Sequence, residues 1–379
     1  MRILYITSAN IPGNKAHSIQ IMRLCEGFAK EGNNVVLFVP KQKGIQVEDI
    51  LSFYGTRADL LSVKQIPTVG IFPRGTILYY YSRFYSFFFL SILYSFFISK
   101  DVIITRDWQY ALFSSRVAYN LHEILPSYIS HTYALALKRA CAIIIPNAKI
   151  AHSLSGHNIP SERIIVVSNG VSFSEFMNIP SKESKRALEK IINISISSRK
   201  VVLYSGSFKK HKGVEILAQS AKFLPDEYII VCIGGDTLQV RKLESKFSKS
   251  NNIFFLKYID PRDIPRLLLA ADILVVPNII TADPSSGDTS PIKLFEYMAT
   301  GIPVVVSDLP TIREIVTDRE VWLTKSGDPL ALADTIQKTQ IQIPEAGKRA
   351  DSARKLARKC SWRNRAQQIS SFVHQCCNI

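Results

Sequence analysis

The feature that most restricts what this chain can fold into is a beat of short apolar runs alternating with helix-patterned stretches, and the beat runs through twice. Arg2 to Ile6 is an apolar run bounded by Ser8-Ala9-Asn10. After Pro12-Gly13-Asn14-Lys15, residues Ile19, Met22, Leu24, Cys25 and Phe28 recur at helical spacing and stop at Gly32. Val35 to Val39 reads as a second buried strand, and Asp101 to Thr105, Ala142 to Ile145 and Arg163 to Val167 as further β-branched strands. Residues 172–199 lose this pattern and gather Lys182, Lys185, Arg186, Lys190 and Arg199, which predicts a linker followed by an exposed helix. The beat then restarts, with strands predicted at Lys200 to Tyr204, Tyr228 to Ile233, Asn252 to Leu256, Ile273 to Val276 and Pro303 to Val306. Continuous apolar runs are what parallel strands covered on both faces look like, so the expectation is an α/β chain of two Rossmann-like domains with a boundary near 172. Ligands in such sheets bind beyond the carboxyl ends of the strands, so the loops there are where chemistry is sought.

Length and charge narrow the partners. A chain of 379 residues suits two domains, and 47% hydrophobic with 21% charged residues argues against wholesale disorder and against a multi-span membrane protein. Forty-seven Lys plus Arg against 31 Asp plus Glu leave +16, which points to polyanions, phosphorylated small molecules or an anionic membrane surface. Nucleic acid is the least favoured of these, because the basic residues are not interleaved with aromatics in a recognisable module. The six cysteines show no C-x-x-C spacing and several sit in apolar runs, so free thiols and a reducing compartment are expected. The N-terminus has one basic residue and then a run too short for a secretory signal, which predicts a first strand and a cytoplasmic chain.

Residues 76–99, TILYYYSRFYSFFFLSILYSFFIS, carry Arg83 as their only charge, and the uninterrupted stretch from Phe84 to Ile98 is 15 residues. A membrane-spanning helix needs about 20 apolar residues. Two readings stand: an aromatic helix buried against a sheet, or one lying in a membrane interface. From Ala346 onward the chain is helical and basic, with eight Lys and Arg against Asp351 alone, either a solvated face or one turned toward phosphate or membrane.

The most informative segment runs from Asp283 to Pro303. Ser290 followed by Pro291 predicts a helix start, with a hydroxyl cap and a proline at the first helical position, and Gly301 predicts its stop. The amides of that helix start, behind Gly287-Asp288-Thr289, suit a phosphate. Asp288 and Glu296 could reach opposite ends of one elongated ligand, or Glu296 could merely pair with Lys293 at i, i+3 and Asp288 cap a turn. A second segment, Ser205-Gly206-Ser207-Phe208-Lys209-Lys210-His211-Lys212-Gly213, follows a strand and opens a helix, with Lys212 placed as a point charge for a diphosphate. Gly234 and Gly235 end the next strand, where a ligand could approach the backbone closely. No G-x-G-x-x-G occurs, which counts against a nicotinamide enzyme. No cluster of Asp and His has metal-ligand spacing, so no metal cofactor is expected. In the first half, Asn10 to His17 and Thr105-Arg106-Asp107 are polar loops after strands, and His122 is a lone histidine of the kind that is usually structural.

Taken together, SPIKLFEYMATGIPVVVSDLPTIREIV, SGSFKKHKGVEIL, VVSNGV and the first loop, helix and strand resemble glycosyltransferase family 4, the retaining sugar-nucleotide-dependent transferases of the GT-B fold. The likeness covers nearly the whole chain. It implies two Rossmann-like domains facing across a cleft: an acceptor domain 1–172, a donor domain 173–355, and a terminal segment 356–379 around Trp362 that packs back on the first. It implies that Glu296 binds the donor ribose, that Lys212 and amides of Thr289, Ser290, Pro291 and Ile292 hold the diphosphate along the Gly206 and Gly234 turns, and that Tyr258 lies near the nucleobase. Asp288 would contact the donor sugar, with His122 beside the reacting carbon. Asn10, Lys15, His17 and Arg106 would line the acceptor side. Where many members have an arginine in the diphosphate loop, this chain has Ser207, so Lys209 or Lys210 would supply the second charge. The implied reaction moves a sugar from a UDP- or GDP-linked donor to a glycan or lipid-linked hydroxyl. A sugar-nucleotide epimerase of the same fold is the alternative, and a donor-only interconversion would reveal it.

Overall fold

The computed structural model describes residues 1–377 apart from 14, 57–58, 123–124, 126–128 and 282–290. It divides into two units, Met1–Asn169 with Trp362–Ile379, and Gly170–Ser361.

In the first unit, β1 (Arg2–Ile6), β2 (Asn34–Pro40), β3 (Leu61–Ile66), β4 (Val102–Thr105), β5 (Val117–Asn120), β6 (Ala142–Ile145) and β7 (Ile164–Val166) form one sheet in the order β3-β2-β1-β4-β5-β6-β7. Every pairing is parallel. Alternate residues of β1 serve different cores: Ile3 and Tyr5 join Leu24, Phe28 and Val35 on one face, while Leu4 and Ile6 join Phe38, Phe87 and Ile143 on the other. That double burial is why the strand reads as an unbroken apolar run.

The second unit repeats the plan. Strands β8 (Lys200–Ser205), β9 (Tyr228–Gly235), β10 (Ile253–Lys257), β11 (Ile273–Val276), β12 (Val304–Ser307) and β13 (Trp322–Thr324) form a parallel sheet in the order β10-β9-β8-β11-β12-β13. Val201 and Leu203 face one core and Val202 and Tyr204 the other. In both sheets the order reverses beside the first strand, at β1/β4 and at β8/β11, the topological switch points where open α/β sheets bind ligands.

Three expectations need correction. The aromatic helix, Ile77–Ser95, is buried along one narrow face only: Phe87, Phe88, Ser91 and Ser95 turn inward, with the Ser91 hydroxyl 2.6 Å from that of Tyr110. Tyr81, Tyr85, Phe89, Leu93, Phe96 and Phe97 are exposed, the last at 80%, so a wholly buried helix is excluded. No helix among the described residues is long and apolar enough to cross a membrane. Second, Cys141 and Cys377 are joined, with Cα atoms 5.3 Å apart, which leaves Cys25, Cys232, Cys360 and Cys376 outside the disulfide rather than all six cysteines reduced. Third, the basic tail is not simply a solvated face. It is two helices, Ile343–Lys359 in the second unit and Trp362–Cys376 in the first. Ala366, Ile369 and Val373 enter the core of β1, and Arg365 is 2% exposed, its guanidinium donating to the carbonyls of Val167 and Ser168. A Cβ at Gly27 would stand 2.6 Å from the Trp362 carbonyl oxygen, so the terminal helix lies directly on the first.

Candidate active site

The switch point of the second unit is organised by Tyr297. Its buried hydroxyl accepts from the Ser205 N–H at 2.6 Å and donates to the Ser205 carbonyl at 3.2 Å, pinning the helix Ile292–Thr300 to the turn after β8. Burial drives its phenol well above the ordinary range, so at neutral pH it keeps the proton that the second bond needs. The turn continues through Gly206 and Ser207, whose carbonyl accepts from the Tyr204 hydroxyl at 2.8 Å, into a short helical turn at Lys210–Lys212. Gly234 closes in from β9, where a Cβ would come within 2.6 Å of the Gly206 carbonyl oxygen. The expected loop after β9 thus meets the expected diphosphate turn.

Two lysines stand at this turn. Burial, and then the neighbouring charge of Lys209, lowers the Lys212 ammonium below its ordinary value. Lys293, on the first turn of the Glu296 helix, is lowered further by burial and by the Lys212 charge, with Glu296 acting in the opposite sense. Lys209 and Lys210 are exposed. Tyr258, 41% exposed, is held by its N–H to the Gly235 carbonyl at 3.1 Å. The helix begins at Ile292, one residue later than expected: Pro291 is its extended N-cap, with ψ 114°, and its carbonyl accepts from the Leu294 N–H at 3.0 Å. Pro291 has no amide hydrogen, so the expected run of amides is interrupted there and resumes at Ile292. Asp288, Thr289 and Ser290 lie outside the described residues.

The switch point of the first unit is a polar chain. The Arg106 guanidinium donates to the Gln20 amide oxygen at 3.1 Å, and the Gln20 amide donates to Asn169. The Ser8 N–H and hydroxyl both donate to the Asp107 carboxylate at 2.8 Å. Burial, then the charges of Arg106 and Lys15, pushes His17 down to about 4, so it is neutral near pH 7. Burial, Arg106, Arg365 and His17 hold His122 well below its ordinary value, and its Nε2 is buried without a partner among the described residues. Asn10 and Lys15 are exposed, and the Asn10 carbonyl accepts from the Ser18 hydroxyl at 3.1 Å. Among the described residues no three His, Cys, Asp or Glu side chains stand together as a metal site.

Residues 18–175 match the model of Glycosyltransferase Family 4, and residues 186–356 that of Glycosyl transferases group 1. The chain belongs to glycosyltransferase family 4. The D-inositol 3-phosphate glycosyltransferase of Corynebacterium urealyticum is 25% identical over 240 residues, 60% of this chain and 54% of its own. The O-antigen chain mannosyltransferase RfbU of Salmonella typhimurium is 22% identical over 240 residues, 60% of this chain and 61% of its own. The chain spans about half the length of the curated relatives it matches. Anabaena HepE, solved in complex with UDP and glucose, shares the fold with a TM-score of 0.75 at 17% identity over 98% of each chain. The two parallel sheets are therefore those of a GT-B glycosyltransferase fold.

Within this family 4 chain, the structure brings Gly206, Gly234, Lys212 and the helix of Glu296 to one switch point, and Arg106, His17 and His122 to the other. Lys209 and Lys210, expected as the source of the second charge, stand exposed on the same turn as Lys212. Sequence reasoning missed Tyr297 and Gln20, and it read Asn169 only within a turn and Lys293 only as a possible partner of Glu296, because all four act through residues distant in the chain. The one available signal was a lysine in an otherwise apolar helix start, Pro291-Ile292-Lys293-Leu294-Phe295.

Proposed function

We propose that this chain is a retaining glycosyltransferase that moves a sugar from a nucleoside-diphosphate donor to a hydroxyl of a glycan or lipid-linked acceptor, in cell-surface polysaccharide or glycolipid synthesis. The observation that carries this reading is the Tyr297 lock, which sets the start of the Glu296 helix against a lysine-bearing turn. The Glu296 carboxylate takes the ribose hydroxyls. Lys212 and the first-turn amides take the diphosphate, whose charge grows as the glycosidic bond breaks, so that preorganised positive groups rather than a metal ion favour departure. Asp288 serves the donor sugar, and neutral His122 is suited to exchange a hydrogen bond with a sugar hydroxyl. Asn10, Lys15, His17 and Arg106 form the acceptor side. A UDP-linked donor is favoured by the UDP bound in HepE, and a polyprenyl- or lipid-borne acceptor by the exposed aromatic helix.

A thermal-shift screen against UDP-, GDP- and ADP-sugars tests the donor. A ligand at 100 times its Kd stabilises by about 2.7 kcal/mol, roughly 5 to 10 °C for domains of this size. No shift with any sugar nucleotide would sink the reading.

The acceptor side is placed at the inner face of a membrane. From Leu60 to Lys100 there is no acidic residue, while Lys64, Arg74, Arg83 and Lys100 are basic, so the stretch that contains the aromatic helix carries charge of the sign that anionic lipid attracts. The N–H groups of Val69 and Ile71 donate to the Ser86 and Ser82 hydroxyls, which adds the exposed Ile71 and Phe72 to that face. Co-sedimentation with phosphatidylglycerol vesicles at low salt is expected, and Phe89→Ser with Phe97→Ser should abolish most of it. Equal sedimentation of variant and parent would remove the helix from the contact.

A further inference from the structure

We propose that Lys293 is a second phosphate-binding cation of the donor site, acting beside Lys212 on the diphosphate of the nucleotide. The inference rests on the donor reading above and names a residue of that same site.

The Lys293 Nζ is buried and has no hydrogen-bond partner among the described residues. Its position is nevertheless well defined. It sits 3.8 Å from the centroid of the Tyr204 ring, over the face that attracts a cation. It also lies against the turn after β8, where a Cβ on Gly206 would be 2.5 Å from it. Glycine at 206, with φ +145°, is thus what lets an ammonium reach the backbone of that turn. Glu296, one helical turn on, belongs to the ribose end of the proposed ligand, so Lys293 and Glu296 leave the same helix face toward adjacent parts of one nucleotide.

An ammonium buried without a hydrogen-bond partner is unfavourable even with the Glu296 charge in its neighbourhood, and the Lys212 charge adds repulsion to it. A structural role would be served better by an apolar side chain of the same length. A diphosphate settles both problems, because it brings two or more negative charges to a place already lined by two ammonium groups and the free amides at the start of a nine-residue helix. The exposed Lys209 and Lys210 cannot do this from solvent with the same effect, since screening weakens exposed charge.

The test uses the full chain and two probes, UDP and inorganic pyrophosphate, with binding read by calorimetry and by melting temperature. Lys293→Met should weaken both probes at least tenfold and leave the unliganded melting temperature equal to the parent's or higher, because an uncompensated buried charge has gone. Glu296→Gln should weaken UDP and spare pyrophosphate, which has no ribose. If Lys293→Met binds both probes within twofold of the parent, or melts lower while losing UDP and pyrophosphate only in proportion to lost folded protein, Lys293 is structural and the inference falls. If the parent binds neither probe, nor GDP nor ADP, the donor reading fails and takes the inference with it.

Discussion

The two switch points share a strand order and hold their positive charge in opposite ways. At β1/β4 the chain of partners runs from Arg106 to Gln20, Gln20 to Asn169 and Ser8 to Asp107, although His122 Nε2, Asn120 Oδ1 and the Nε and Nη2 of Arg365 have no hydrogen-bond partner among the described residues. At β8/β11 the backbone is locked by Tyr297, yet Lys293 is left without an acceptor among the described residues. Buried polar groups are normally satisfied within the protein, so an unpartnered ammonium on a locked frame is what the proposed diphosphate would complete. The first unit ties Arg106 into its frame; the second leaves the Lys293 ammonium outside the hydrogen bonds of the described residues.

The strongest attempt to break this contrast is to disturb the rigid frame of the second site. Gly213 has φ +72°, and a Cβ there would lie 1.7 Å from the Pro277 carbonyl oxygen, a backbone atom with nowhere to go. Gly213→Ala should cost about 3 kcal/mol or more in urea unfolding. Gly13→Ala, whose Cβ would be 2.6 Å from the Asn10 carbonyl oxygen without a positive φ, should cost less. Equal costs would show that the two first loops are equally forgiving. Next in size, Glu296→Gln would take the charge from the hydrogen bonds proposed to the two ribose hydroxyls and should lower kcat/KM roughly 100-fold with an unchanged melting temperature. Full activity would detach the helix from the donor.

The smallest effect sharpens the contrast from the first unit. His17 is neutral when folded down to about pH 4, whereas an unfolded chain takes its proton near pH 6.5. Between those values the unfolded state binds more protons, so stability is lost as pH falls through this window and is flat above it. The loss should be on the order of 1 kcal/mol once solvent screening of a half-exposed ring is allowed for. His17→Asn should flatten the calorimetric profile from pH 7 to 4.5; an unchanged slope would assign it to other groups.

How much of this was legible follows from where each signal resides. Strands such as β1 and β11 are visible because burial on both faces writes itself as an apolar run. β3, Leu61-Ser62-Val63-Lys64-Gln65-Ile66, hides because it is an edge strand whose residues alternate, and β5, Val117-Ala118-Tyr119-Asn120, and β13, Trp322-Leu323-Thr324, hide because each ends on a polar residue and lacks the β-branched run of its neighbours. The turn after β8 and the helix of Glu296 are legible as motifs, since glycine, proline and serine mark local backbone geometry. Lys293 is not, because its sequence neighbour is Glu296 and its spatial neighbours are Tyr204 and Gly206. The Arg106–Gln20–Asn169 line is hidden for the same reason: each link joins a different element.

The helix Trp362–Cys376 also governs the order in which the molecule can come into being. The first unit lacks part of its core until that helix arrives, and all of Gly170–Ser361 is made in between. At roughly 5 to 20 residues per second, the wait is on the order of 10 to 40 seconds. During it the helix Ala16–Lys30 stands with the face around Gly27 uncovered, while the second unit has everything it needs to fold. The nascent chain is therefore expected to finish its middle before its beginning, and the newly made first unit is the piece for which a chaperone would have most to hold.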